Sequence, residues 1–265
     1  MKVFISADIE GVTGINTWSE TTLGNFDYVR FQKQMTKEVA AACQGALKAG
    51  ATEIYVRDAH DSARNIIGEE LPQGVKLIRN WNGHPHQMMF GLTEEFDAAI
   101  LIGYHSAGGY GWNPLSHTMN TSRVLEVLLN GERLSEFAIS AMTAKYIGVS
   151  LVFVSGDVGL GEDVRRLDPG IVFHGTNEGI GQTTISKHPL DSLRDIEIGV
   201  EKAIAQKDEH DFELPEFYEL KVKYKSHTEA YRNSFFPGVT TEGESTLVFE
   251  TDDFFEFLRA VKYII

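Results

Sequence analysis

Cysteine is almost absent from this chain: one residue, Cys43, in 265. A single thiol cannot form an intrachain disulfide, so nothing points to an oxidising compartment. Its neighbours Val39, Ala42, Ala46 and Leu47 fall at helical spacing and place Cys43 in a core. Long apolar runs are missing as well, none approaching the ~18–20 residues that a membrane helix requires. Positive charge is scarce: 24 Lys and Arg face 38 Asp and Glu, and the net charge of −14 argues against nucleic acid as a partner. The opening segment has one lysine and a very short apolar run, without the longer apolar region of a secretory signal, so the expected location is cytoplasmic. Internal repeats and low-complexity segments are also lacking.

What the chain does have is ample apolar content, 42% hydrophobic and 11% aromatic, and enough length for a substantial core. Val3-Phe4-Ile5 opens as a strand. From about 27 to 48, Phe31, Met35, Val39, Cys43 and Leu47 recur every four residues and Gly50 stops the run, which predicts an amphipathic helix. Glu53-Ile54-Tyr55-Val56 is a second strand, giving a βαβ unit whose strands should be parallel. A helical segment is expected near 63–71 and a short strand near 75–78. The unbroken apolar run 98–103 reads as a strand buried on both faces. Residues 124–134, turning at Asn130-Gly131, predict a hairpin, after which Ser135 can cap a helix that starts with Glu136. Residues 151–154 are another buried-type strand, and a helix follows from about 190 to 205. Composition then shifts at an acidic stretch, 207–219. The expected fold is α/β, a mostly parallel central sheet flanked by helices, with a smaller C-terminal α+β subdomain. The expected division is a catalytic, metal-binding domain at 1–206 and the subdomain at 207–265.

In open parallel sheets, function gathers where strands end. Asp8 and Glu10 follow the first strand at i, i+2 spacing, which in extended chain sends both carboxylates to one side, ~6–7 Å apart along the backbone. His60 and His105 each follow a later strand, and Glu136 can reach the same edge from its helix start. Three carboxylates and two imidazoles suit zinc or a similar ion, and five ligands exceed what one catalytic zinc takes, so two ions are expected. Their +4 against −3 leaves a slightly positive centre suited to hydrolysis.

Ser6-Ala7-Asp8-Ile9-Glu10-Gly11, Asp58-Ala59-His60, Gly103-Tyr104-His105, Ser116-His117-Thr118-Met119 and Asn130-Gly131-Glu132 through Ser135-Glu136 together resemble the motif series of the zinc-dependent D-aminopeptidases of the dipeptide-operon type. Weaker matches continue through Gly156-Asp157, Thr184-Ile185-Ser186-Lys187 and Pro237-Gly238-Val239. The resemblance implies that Asp8 bridges two Zn2+ ions, that Glu10, His60, His105 and Glu136 complete the ligand set, and that His117 is the catalytic residue. It further implies a short peptide with an N-terminal D-residue, such as D-Ala, as substrate, and a homo-oligomer, a decamer of stacked pentamers. An imidazole beside a dinuclear centre can serve as general base or nucleophile.

Around these residues several secondary expectations arise. Asp58 is a candidate to orient His60, Tyr110 and Trp112 to line the substrate pocket, and the loop 108–111 to form a lid beside His117. His84 and His86 read as solvent-facing. Ser106 is one position too late for a serine-hydrolase elbow. Rival functions are a dinuclear phosphoesterase, a muropeptide amidase using the same centre, and a metal- or peptide-binding protein without turnover.

Overall fold

A computed structural model describes residues 1–207 and 212–265. The chain runs β1 (Lys2–Ala7), α1 (Tyr28–Lys48), β2 (Glu53–Asp58), β3 (Lys76–Ile78), β4 (Ala98–Tyr104), β5 (Val124–Leu129), β6 (Glu132–Arg133) and α2 (Glu136–Ile147). It continues with β7 (Leu151–Gly156), α3 (Leu160–Leu167), β8 (Val172–Gly175), β9 (Asn177–Ile180), β10 (Thr183–Ser186) and α4 (Pro189–Ala205). The last part is β11 (Tyr218–Tyr224), α5 (His227–Asn233), β12 (Val239–Glu242), β13 (Thr246–Thr251) and α6 (Phe254–Ile264).

Six strands form a parallel sheet in the order β3-β2-β1-β4-β7-β8. The order reverses between β1 and β4, which makes the gap beyond their carboxyl ends the switch point where such sheets bind ligands. Alternation along β1 sends Val3 and Ile5 to one face, against Met35, Val39 and Cys43 of α1 and Ile196 and Val200 of α4. Phe4 goes to the other face, with Leu101, Tyr104 and Val154 and with Phe137, Ala141 and Ala144 of α2.

A second, antiparallel sheet has the order β12-β13-β11-β5-β6. Its core joins Val127, Leu220, Val222 and Leu247 to Phe257, Leu258 and Val261 of α6, and to Ile139 and Met142 of α2. Helix α2 is thus apolar on two sides and lies between both sheets. The second sheet draws strands from both sides of the expected division at 206/207, and the acidic stretch expected to mark it lies partly outside the described residues. Among the described residues no helix is long and apolar enough to cross a membrane.

The helix expected near 63–71 is a single 3-10 turn, Gly68–Glu70. Buried Asp58 explains the difference, because its carboxylate accepts the backbone N–H groups of Asn65 and Ile66 while the Asn65 amide spans Asp58 and the His60 carbonyl. Local side-chain bonding of this kind competes with helical hydrogen bonds. The hairpin and the cap match expectation: Asn130 and Gly131 both have positive φ, and the Ser135 hydroxyl accepts from the Ala138 N–H at 3.1 Å.

Close approach of β1 and β4 at their ends depends on glycine. The Gly11 N–H donates to the Gly103 carbonyl at 2.8 Å, and a Cβ on Gly11 would sit 1.8 Å from the Tyr104 oxygen. Gly11→Ala is therefore expected to cost about 2–4 kcal/mol of stability by forcing the two strand ends apart. An unchanged urea midpoint for that variant would show that the gap can open freely.

Candidate metal centre

Each strand end of the switch point delivers one part of the site. Past β1, the chain carries Asp8 and Glu10 inward, both nearly inaccessible to solvent. His60 follows β2, His105 follows β4, and Glu136 is the first residue of α2. His117 comes from the loop between β4 and β5, beside which Met119 adopts a positive φ of 62° and points its N–H at Glu136 Oε1, 2.7 Å away.

These six residues fall into two groups whose ligand-type atoms converge: Asp8, Glu10 and His60, and His105, His117 and Glu136. His60 Nδ1 lies 3.2 Å from Asp8 Oδ1 and 3.1 Å from Glu10 Oε2. His105 Nε2 lies 3.5 Å from Asp8 Oδ2 and 3.6 Å from Glu136 Oε1, and His117 Nε2 is also 3.6 Å from Glu136 Oε1. Asp8 thus turns one carboxylate oxygen to each group.

The atoms fit a metal better than they fit one another. Two ligands on a tetrahedral zinc at about 2.0–2.1 Å stand about 3.3–3.4 Å apart, close to the 3.1–3.6 Å separations here. The distances in the second group exceed those of good hydrogen bonds. Asp8 Oδ2, Glu10 Oε2 and His105 Nε2 are buried and have no hydrogen-bond partner. Orphaned polar atoms of this kind are costly unless a cation or donor completes them.

The histidines are set for the same purpose. His60 Nε2 donates to the Thr21 carbonyl, His105 Nδ1 to the Ser106 carbonyl and His117 Nδ1 to the Leu115 carbonyl, each at 2.9 Å. With one ring nitrogen so protonated, the neutral imidazole presents its lone pair from the other, and in all three residues that nitrogen faces the centre.

Electrostatics reflect crowded acids. Burial and the neighbouring Glu10 charge push the Asp8 carboxyl up to about 8. Burial opposes ionisation of Glu10 and Glu136 too, yet His60 and His105 respectively hold them below the usual carboxylate range. The same pairs overcome burial to hold His60 and His105 well above the usual imidazole value. His117 goes the other way, lowered by burial and by His105, on which its ring stacks at 4.4 Å.

Asp58 does not touch the far nitrogen of His60, since Thr21 occupies that position; it acts on the His60 backbone through Asn65 instead. Tyr110 and Trp112 stack on each other at 4.1 Å and do not line the cavity beside the centre. Gly108 backs onto the His117 main chain. His84 and His86 are half-buried, packed ring to ring and against Phe255, outside both ligand groups. The Ser106 hydroxyl is tied to Asp157.

A cavity of about 450 Å3 opens from the centre, within the range of small-ligand pockets. Asp8, Glu10, His60, His117 and Glu136 line its floor, and Trp18, Trp81, Met88 and Met119 supply apolar wall. Trp81 is anchored by its indole N–H on the Asp61 carbonyl at 2.6 Å and by the buried Arg57 guanidinium 4.3 Å from its ring. The Trp18 edge meets the His117 ring at 5.3 Å. Sequence reasoning missed these walls, because isolated Trp and Met residues in loops carry no motif. Asp157 was legible as part of a strand-end Gly-Asp; it accepts the Ser106 N–H and the Leu160 N–H and so fixes the turn after β4 to that after β7.

Comparison with known proteins found three likenesses. The profile of the peptidase M55 family, described as D-aminopeptidase, matches residues 1–263. A D-aminopeptidase of Bacillus subtilis (strain 168) is 27% identical over 269 residues, covering 98% of this chain and 95% of the relative. Among solved structures, the Zn-dependent D-aminopeptidase DppA from Bacillus subtilis, described as a self-compartmentalizing protease, has a TM-score of 0.92 at 24% identity, covering 100% of this chain and 96% of that one.

Proposed function

The chain belongs to the peptidase M55 family of D-aminopeptidases, and from that premise we propose that it is a dinuclear zinc aminopeptidase that removes an N-terminal D-residue, such as D-Ala, from short peptides. The observation that carries the reading is Asp8, a buried carboxylate with one oxygen among Glu10 and His60 and the other, unpartnered, facing His105. Asp8 would bridge the ions, Glu10 and His60 would complete one site, and His105 and Glu136 the other. Bound zinc would polarise the scissile carbonyl and make water more acidic.

The protein's own groups do the rest. His117 Nε2 has a free lone pair because Nδ1 is spent on the Leu115 carbonyl, and burial together with His105 keeps the ring neutral near pH 7. It is suited to take or relay a proton at the cavity floor, with Glu136 Oε1 at 3.6 Å to stabilise the imidazolium formed. His105 is fully sealed, whereas His117 keeps 13% of its side chain exposed toward the cavity, which favours a ligand role for the first and a catalytic role for the second. A cavity of about 450 Å3 matches a short peptide in size. Family membership favours amide hydrolysis over a phosphoesterase or a binding protein.

We also propose a cytoplasmic homo-oligomer. A reduced, buried Cys43 supports the first, and apolar side chains left on the surface, Phe26 at 97% exposure among them, support the second. Light scattering after gel filtration measures the assembly; a monomer would refute it. The function itself is tested by metal analysis with a panel of dipeptides bearing D- or L-residues at the N-terminus. About two zinc ions per chain with cleavage of the D-series is expected; metal-loaded protein that leaves every peptide intact would overturn the reading.

Metal removal gives a further prediction. Without ions, Asp8, His60 and His105 all have folded pKa values above their unfolded ones. Their contribution to stability is present below the unfolded values and is lost as pH rises through the folded ones. Glu10 and Glu136, shifted downward, contribute a constant amount above pH 6. Chelator-stripped protein is therefore expected to lose thermal stability between about pH 6.5 and 8, while metal affinity rises over the same range. The gap in Tm between loaded and stripped protein should widen with pH; a gap that narrows would contradict the assignment.

A further inference from the structure

The cavity is lined by four carboxylates, Asp8, Glu10, Asp61 and Glu136, and by one ammonium, Lys262, in the last turn of α6. Lys262 is half-buried and, among the described residues, has no ion-pair or hydrogen-bond partner. At its other end the same helix packs the Phe255 ring on His84 and His86 at 6.2 and 6.0 Å. Two residues along from His84–Pro85, the chain adds a second unmet donor: Gln87, with a positive φ of 43°, lines the same cavity, and its Nε2 is buried without an acceptor.

A half-buried lysine without a counter-ion and an unsatisfied amide N–H leave free energy unrealised until an anion arrives. In the aminopeptidase reading the floor is taken up by the ions and the scissile amide, which leaves the substrate's anion to the rest of the cavity. A peptide entering with its amino end toward the floor brings its α-carboxylate to the other part of the cavity, where a charge-assisted bond to an ammonium is strongest. Resting on the aminopeptidase reading above, we propose that Lys262, together with Gln87 of the same cavity lining, receives the free α-carboxylate of the substrate. The cavity then measures peptides between two fixed ends, which makes the enzyme selective for short peptides with an unblocked carboxyl terminus.

The test uses the full-length, zinc-loaded protein and two substrates, D-Ala-D-Ala and its C-terminal amide. In Lys262→Met the ratio of kcat/KM for acid over amide is expected to fall about ten- to hundredfold, through KM, and in Lys262→Arg to return to within about threefold of wild type. Gln87→Leu should lower the ratio less. A parallel calorimetric titration compares acid and amide forms of the same dipeptide with its scissile amide reduced, so that binding is read without turnover. Wild type preferring the acid tenfold or more, with the preference lost in Lys262→Met, supports the proposal. An unchanged ratio, equal loss on both substrates, or no acid preference in the titration overturns it. Failure of wild type to cleave either peptide refutes the aminopeptidase reading, and the titration still decides the role of Lys262.

Discussion

Replacing Asp8 with alanine is expected to empty both halves of the metal centre at once, taking zinc from about two ions per chain to near zero. The reason lies in how its oxygens are shared: Oδ1 faces His60 and Oδ2 faces His105. Without Asp8, one ion would keep only Glu10 and His60 and the other only His105 and Glu136. Two protein ligands fall short of the three that catalytic zinc sites use. Turnover should drop below about one thousandth of wild type, because polarisation and water activation are lost together. The stability effect should have the opposite sign once metal is absent. Burial and Glu10 disfavour the Asp8 carboxylate in the stripped protein, so the stripped variant should unfold no earlier than stripped wild type. Retention of one tightly held ion, measured by elemental analysis, would show that the two groups are independent and that Asp8 does not join them.

His117→Ala tests the other half of the proposal. Its ring stacks on His105, its Nδ1 is committed to Leu115, and its Nε2 faces both the cavity and Glu136. The expected result is a full metal complement with kcat reduced about 10²–10⁴-fold, the range for loss of a general base. KM should change little, since the apolar walls formed by Trp81 and Met88 remain. Loss of one ion in this variant would make His117 a ligand, a role its distance to Glu136 also permits. Metal content is therefore the deciding measurement and must be taken with the rates.

Five of the six parallel strands, and Asp8, Glu10, His60 and His105 beyond them, were legible in the sequence because strand ends are punctuated, whereas His117, in a loop, came only from the family resemblance. Val3 to Ile5, Ile54 to Val56 and Ala98 to Ile102 are apolar runs followed within three or four residues by Asp8, His60 and His105, and the switch-point topology brings those strand ends together. Ser135 and the Asn-Gly turn announced the start of α2 and hence the place of Glu136. The stretch 63–71 misled because its apolar spacing resembles a helix, while the Asp58 carboxylate that rearranges it sits in the preceding strand. Segments 157–186 and 239–242 gave strands too short to register as periodic patterns. The pairing of β5 with β11 was hidden for another reason: it joins residues about ninety apart, and nothing local to either strand names its partner. The cavity walls and Lys262 lie on loops and on a helix face, where a functional side chain looks like any other.

Helix α2 carries Glu136 and is wedged between the two sheets, one of which is completed only by β11, β13 and α6. A nascent chain emerging from the ribosome has Asp8, Glu10 and His60 early, but the strand that braces β5 arrives only after residue 217. Contacts of such long sequence separation form late and together. A copy truncated before residue 218 is therefore expected to carry its acids without the sheet that braces β5 and α2, and to show no peptide cleavage.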